Sequence, residues 1–436
     1  MSSFLKDLAS VTLSKGGVVL FSLAQSIIIA RLLGPELNGL IATLIVYPSL
    51  FMVVGSLGVR QSTAYYIAKG IYEEEKIKTA VSQIWIISSI LSVVASFVLI
   101  IFFSNSGDNL LLVILAISPI PFALFNTYNS GVYLGKNSIQ AFNKVNWLPP
   151  FFVLLATLLL VVLLNLSVVG AMIAMIFGPL AMSIIMLTIN DFYKAFSFKI
   201  DIKIVKSLLS LGIVYAIALV IINLNYRLDV ILIDKLSTKY ETGIYSKGAG
   251  IVEYLWEIPM LLSTIIFARS ANASDSLIFS KKVCQLLRLS LIIISVCCII
   301  LAYFAPFIFK ILFGNEFLPS SEVMRILIPG VILLTVFKVL NMDMAGRGKP
   351  WISLKAMLPA LVLNVILNFI WIPEHGANGA SLASTVSYSL AAFIFLFVYS
   401  NEAKISIREI LTYKKNDFLT LRNMTNNFLS KIQNKP

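Results

Sequence analysis

The chain has 436 residues, 58% of them apolar and only 13% charged, with a mean hydropathy of +0.91. Soluble domains carry about a quarter charged residues, so this composition excludes an ordinary soluble enzyme and predicts a polytopic membrane protein. The formal charge of +13 does not imply a nucleic-acid partner, because Lys and Arg on a membrane chain gather in the cytoplasmic loops.

Lys6, Asp7 and Lys15 precede or open the first apolar run and no small-residue cleavage pattern follows it, which predicts a retained first span. Hydropathy with turn and charge punctuation predicts twelve spans, near 11 to 33, 38 to 59, 80 to 103, 110 to 134, 148 to 165, 168 to 189, 207 to 231, 243 to 268, 286 to 309, 323 to 344, 352 to 372 and 376 to 399. Backbone amides in hydrocarbon must be satisfied within the segment, and the runs lack the alternation of a barrel, so the spans are read as helices. With the N-terminus inside, 25 of the 34 Lys and Arg fall in cytoplasmic segments. Six, namely Arg31, Arg227, Lys235, Lys239, Lys310 and Arg325, fall opposite, and Lys15, Lys247 and Lys338 lie within spans. This bias predicts both termini in the cytoplasm. The tail, 401–436, carries Ile407, Ile410, Leu411, Phe418, Leu421, Met424, Phe428 and Ile432 at helical spacing, and reads either as a helix on the anionic inner leaflet or as a solvated tail.

Several chemistries are missing. Cys284, Cys297 and Cys298 form no CxxC pair and His375 is the single histidine, so neither a disulfide framework nor a Cys/His metal site can be drawn. GVYLGKN from Gly131 lacks the spacing and the hydroxyl of a phosphate-binding loop, which excludes ATP hydrolysis by this chain. No cofactor and no enzymatic activity are expected, and energy would come from a proton or Na⁺ gradient.

An internal repeat is visible. ARLLGPELNGLIA (30–42) recurs in form as DKLSTKYETGIYS (234–246), with Arg31, Leu32 and Gly39 matching Lys235, Leu236 and Gly243 at an offset of 204. Pro119 matches Pro329 and Pro149 matches Pro359 at 210, Gly135-Lys136 matches Gly346-Arg347 at 211, and Gly170-Ala171 matches Gly379-Ala380 at 209. Matched positions fall in spans of the same direction, predicting an all-α membrane protein whose twelve transmembrane helices form two six-helix lobes related as parallel repeats. The lobes are expected at 1–200 and 201–400. In such transporters substrate lies between the lobes and access alternates by rocking.

ARLLGPELNG after the first span, RLDVILIDKL with GIYSKGAG across spans seven and eight, and ILFGNEFLPSSEVMRIL (311–327) resemble the polysaccharide-biosynthesis flippases of the multidrug/oligosaccharidyl-lipid/polysaccharide exporter superfamily. The resemblance implies a bacterial cytoplasmic-membrane protein moving undecaprenyl-diphosphate-linked oligosaccharide units outward, for O-antigen, capsule or related polymers. Polymerase and glycosyltransferases of the same pathway would be its partners, with membrane lipids around it.

Such a substrate needs cations for its diphosphate and hydrogen-bonding groups for its sugars. Lys15, Arg60, Arg269 and Lys338 have a common depth and could form a cationic collar, against ordinary positive-inside placement as the structural alternative. Arg227 in the outer half could receive the diphosphate later, or pair with Asp229 or Asp234. Glu253 and Glu257, four apart on span eight, could bind sugars or couple an ion, or salt-bridge to Lys247 or Lys338. Gln25, Asn126, Asn129 and Asn223 are neutral candidates for sugars, although such residues also serve as interhelical hydrogen bonds. A multidrug antiporter of the same superfamily is the alternative, and a non-transporting scaffold a third. The first six spans hold no acid within the hydrocarbon, which favours an anionic substrate over a cationic drug.

Overall fold

A computed structural model describes residues 2–136, 138–196, 201–257, 260, 266, 270, 275–414 and 417, with backbone alone for 2–11 and 139. Among the described residues the chain is helical and forms no strand. In chain order the helices are α1 Ser2–Gly55, α2 Val59–Lys69, α3 Glu74–Phe103, α4 Leu110–Ile117, α5 Ile120–Gly135, α6 Ile139–Val145 and α7 Leu148–Thr157. They continue as α8 Ser167–Ile189, α9 Ile202–Leu236, α10 Lys239–Leu255, α11 Ser276–Phe313, α12 Ser320–Gly346, α13 Leu354–Ala403 and α14 Ile407–Leu411.

A crossing takes about 20 residues, so two of these helices are too long to be single spans. α1 has 54 residues and breaks at Gly34 (φ 70°, ψ 177°), followed by Pro35, which has no N–H to continue a ladder. Asn38 closes the break by donating to the Gly34 carbonyl at 2.7 Å and to the Ile29 carbonyl at 3.2 Å. α13 has 50 residues and breaks at Gly376 (φ 51°), where the Glu241 carboxylate accepts the Ala377 N–H at 2.9 Å. The first break falls between predicted spans one and two, and the second at the first residue of predicted span twelve. Predicted span four is two helices, α4 and α5, and span five ends in a π turn over Leu158–Leu163. Predicted span eight opens as α10, and most of its remainder lies outside the described residues.

Two groups of helices meet along α1. In one, α2, α3, α5, α7 and α8 pack around α1; in the other, α9, α11, α12 and α13 pack together with α10. Within the first, Ser88, Ser92 and Ser96 form a buried stripe on α3, one turn apart, that lets it approach α1 closely. Ser88 and Tyr128 both donate to the Gly55 carbonyl left free where α1 ends, at 2.6 and 2.5 Å.

The two groups touch at both ends. At the far end, a Cβ on Gly39 would lie 1.8 Å from the Lys239 carbonyl oxygen, and one on Gly243 would lie 1.9 Å from the Pro35 carbonyl oxygen. Both residue pairs, 35 with 239 and 39 with 243, are 204 apart, so the contact is locally two-fold. Asp234, fully buried, accepts from Thr43 at 3.2 Å and from the Asn105 N–H at 3.1 Å, and Arg31 donates to the Leu312 carbonyl at 2.9 Å. At the end where α1 begins and α13 finishes, Gly58 meets Gly212 backbone to backbone and Tyr72 bonds Ser207 at 3.1 Å.

The second group holds two polar fasteners near that terminal end. Asp343, on α12, accepts from Ser270 at 2.6 Å, Tyr399 at 2.7 Å and Ser280, and pairs with Arg347 at 3.1 Å. Arg288 of α11 is buried against the tail, donating to both Asp417 oxygens at 2.7 and 3.1 Å and to the Ile410 carbonyl at 2.9 Å. Burial works to raise the Asp417 pKa, but the bonds from Arg288 and the Lys414 N–H override it and hold the carboxyl below its ordinary value. The tail docks through Ile405, Ile410 and this ion pair, while the stripe from Phe418 onward lies outside the described residues.

Candidate functional site

Two adjoining cavities, of about 230 and about 210 Å³, open where α1 faces α9 and α10. The larger is bounded by Ser49, Tyr226, Arg227, Tyr245, Glu253, Trp256 and Tyr388. The smaller is bounded by Gln25, Ser26, Asn38, Lys247, Tyr254 and Phe313. Ala42, Ile45, Ser246 and Gly250 border both. A Cβ built on Gly250 meets nothing within 4 Å, so the partition between the cavities is low at that point.

Aromatic rings make one wall of the larger cavity. Tyr226, Trp256 and Tyr388 form a triangle with ring centroids 5.2 to 5.9 Å apart. The Trp256 indole N–H is buried and finds no acceptor among the described residues, a vacancy that buried donors rarely tolerate. Lys338 stands against two of these rings, its ammonium 4.1 Å from the Trp256 centroid and 4.4 Å from that of Tyr226.

The charges divide into paired and unpaired. Arg227 grips Glu253 with two parallel bonds of 3.1 and 3.2 Å, and Lys15 pairs with Glu257 at 2.8 Å. Lys247 donates to Ser26 Oγ at 3.0 Å and has no carboxylate within ion-pair distance among the described residues; Lys338 has none either. Four cations therefore face two carboxylates. A lysine in a span costs about 2.5–3.5 kcal/mol, and the bond from its ammonium to the Ser26 hydroxyl returns about 1.5–3 kcal/mol without neutralising the charge. The surplus positive charge is available to a ligand.

Three of the four residues of the expected collar are described. Lys15 is engaged by Glu257, Lys338 is held by rings, and Arg269 lies outside the described residues. Arg60, on α2, packs its backbone against Gly131 of α5 and leaves its buried Nε unpaired. Glu253 and Glu257 do share one face, but their partners are Arg227 and Lys15 rather than Lys247 and Lys338. Arg227 bonds neither Asp229 nor Asp234. Asn126 donates to the Pro179 carbonyl at 2.9 Å and accepts from Ser183 at 3.1 Å, and Asn129 donates to the Met186 carbonyl at 3.3 Å. Both join α5 to α8, and neither borders a cavity. Asn223 donates to its own helix at Leu219, whereas Gln25 does line the smaller cavity.

Two residues matter more than the sequence indicated. Lys247 was visible only as a partner for Glu253 or Glu257, yet it is an unpaired cation in a cavity wall. Asp229, fully buried on α9 behind Tyr245, accepts from Tyr245 at 2.6 Å, from Asn368 at 2.7 Å and from Ser384. Asn364 extends the cluster by accepting from Asn368 at 3.0 Å. All its partners among the described residues are neutral, so none of them supplies a cation to balance a carboxylate at this depth. The only signal in the sequence was an acid inside a span, two residues from Arg227 and thus on a different face.

A bundle of helices long and apolar enough to cross a bilayer, with cavities between its two groups, defines a multi-pass membrane protein. The chain belongs to the polysaccharide biosynthesis protein family, whose model matches residues 4–268. Among curated relatives it is 30% identical over 105 residues to the probable low-salt glycan biosynthesis flippase Agl15 of Haloferax volcanii, covering 24% of this chain and 22% of that protein. The chain thus spans about a fifth of the length of the curated relatives it matches first. Its fold is that of the lipid II flippase MurJ in an inward closed conformation, with a TM-score of 0.72 at 14% identity over 99% of this chain and 93% of that one. An inward-facing multidrug resistance MATE family transporter superimposes with a TM-score of 0.68 at 16% identity over 91% and 99%.

Proposed function

We propose that the chain is a flippase carrying a polyprenyl-diphosphate-linked oligosaccharide across the cytoplasmic membrane, with both termini in the cytoplasm and access alternating between lobes at 1–200 and 201–400. The observation that carries this reading is Lys247, a cation in the wall of the smaller cavity with no carboxylate partner among the described residues. The apolar walls of the smaller cavity, Ile29, Ile41, Met175 and Phe313, suit the start of a polyprenyl chain, and Lys247 there suits its diphosphate. The rings of the larger cavity suit the apolar faces of sugars. The family, and the glycan biosynthesis flippase for which Agl15 is named, support the same class of cargo. A cationic drug, the cargo of the antiporter alternative, would meet two carboxylates already neutralised and a surplus of like charge.

Coupling passes from Glu253 and Glu257, which are paired, to Asp229. A buried carboxylate with only neutral partners can take up a proton or Na⁺, and its contacts to α10 through Tyr245 and to α13 through Ser384 transmit its state to the helices lining the cavity. Asp229→Asn is expected to let labelled lipid equilibrate between leaflets while abolishing the response to an imposed proton or Na⁺ gradient. A variant that still responds like the parent removes Asp229 from coupling.

The function itself is tested in proteoliposomes, comparing leaflet transfer of a labelled polyprenyl-diphosphate oligosaccharide with efflux of a cationic dye. Lipid transfer without dye efflux is expected, and the reverse result overturns the proposal.

A further inference from the structure

We propose that Glu253 is a placeholder for the substrate: it holds Arg227 in the empty cleft and yields it to the sugar-side phosphate of the diphosphate, an inference that rests on the flippase reading above. Among the described residues, Lys247 is the one charged group bordering the smaller cavity, and Arg227 and Glu253 are the two bordering the larger. The lipid-linked glycan is linear, with the polyprenyl chain first, then two phosphates, then sugars. With the start of the chain against Ile29, Ile41, Met175 and Phe313 and the first phosphate on Lys247, the second phosphate lies towards the larger cavity. Ser246, the residue before Lys247, and Gly250 border both cavities, and the space over Gly250 is open, so a diphosphate can straddle the boundary there. The cation on the larger-cavity side is Arg227.

Arg227 is held but remains within reach. Glu253 takes two of its five N–H donors, at 3.1 and 3.2 Å. The two side chains are 42% and 31% exposed and both face the cavity, so a ligand there meets the pair directly. Ion pairs this open hold their partners weakly. A phosphate presents oxygens to a guanidinium in the same fork geometry as a carboxylate, and can take the place of Glu253 on Arg227. A diphosphate diester carries two negative charges, of which Lys247 answers one; Arg227 answers the other. Glu253 is not then left without a counter-charge. Lys338, which borders neither cavity, interacts electrostatically with Glu253 and stays where the rings hold it. After release of the lipid the Arg227–Glu253 pair re-forms, so the empty protein returns without an unanswered guanidinium in the membrane.

The test uses the full chain in lipid nanodiscs and two matched probes, a polyprenyl diphosphate bearing a glucosyl disaccharide and the corresponding polyprenyl monophosphate. Glu253→Gln removes the competing charge and keeps the length of the side chain. It is expected to bind the diphosphate probe about tenfold more tightly than the parent, and the monophosphate probe as the parent does. In proteoliposomes the same variant should transfer the diphosphate probe several times more slowly, because nothing competes for Arg227 when the lipid must leave. Adding Arg227→Met should abolish the gain in affinity. Glu253→Asp, whose shorter arm loosens the grip while keeping the charge, should show the same preference at a smaller factor and serves if the first variant does not fold. Unchanged or weaker binding of the diphosphate probe by the folded variant, equal tightening of both probes, or a gain that survives Arg227→Met overturns the exchange. Transfer of the diphosphate probe by the parent then leaves the flippase reading standing, and binding of neither probe by the parent overturns both.

Discussion

Lys247→Met is expected to lower lipid transfer about a hundredfold without lowering the stability of the protein. The ammonium sits in the smaller cavity with one hydroxyl and one carbonyl of Ser26 as its polar contacts, and the Phe313 ring is 5.9 Å away. A charge-assisted bond to phosphate contributes about 1.5–3 kcal/mol, and the partly buried position of the ammonium strengthens it because surroundings of lower dielectric screen less. A hundredfold loss corresponds to about 2.7 kcal/mol, within that range. Methionine keeps the length of the side chain and removes a charge from the membrane, so thermal unfolding of the variant should be unchanged or later. Lys247→Arg should retain transfer, since guanidinium also binds diphosphate. Transfer by Lys247→Met at the parent rate and normal protein level would remove this residue from the diphosphate site.

Gly39→Val should open the far-end contact between the two helix groups. A Cβ at Gly39 would lie 1.8 Å from the Lys239 carbonyl oxygen, against the 3.4 Å or more of ordinary contact, and that obstacle is backbone that cannot rotate aside. The helices must separate by more than an ångström, at a cost of about 1–3 kcal/mol or above. The same movement strains the seal that Asp234 makes with Thr43 and Asn105. The separation is read by cross-linking cysteines placed at Asn105 and Lys235, whose side chains bond at 3.2 Å. The yield should drop severalfold in Gly39→Val. Gly16→Ala, where an added Cβ meets nothing within 4 Å, should leave it unchanged and serves as the control. An undiminished yield in Gly39→Val would mean the closure does not depend on this contact.

Much of the candidate site was readable as composition and little as geometry. The count of membrane-embedded charges could be taken from the sequence, but whether Lys15, Lys247 or Lys338 was neutralised depended on which helix stood opposite and how it was rotated. Glu257 could reach a lysine on any neighbouring span, and packing of α1 against α10 selected Lys15. Asn126 and Asn129 carry the same groups as Gln25, yet the face they occupy on α5 points to α8, so they fasten helices while Gln25 borders a cavity. Arg288 looked like one more loop-proximal cation until the tail folded back and brought Asp417 to it.

The sequence by itself determined that this chain lies in a bilayer as helices, because apolar run length and backbone hydrogen bonding leave no other economical solution in hydrocarbon. It also marked Gly39 and Gly243 as corresponding positions. Only the tertiary structure decided that these two glycines touch, that Lys247 and Lys338 remain unpaired, and that Asp229 is enclosed by neutral donors. Such contacts join residues on different helices, and the rotation and crossing of packed helices, which local periodicity does not encode, choose among partners of equal chemistry.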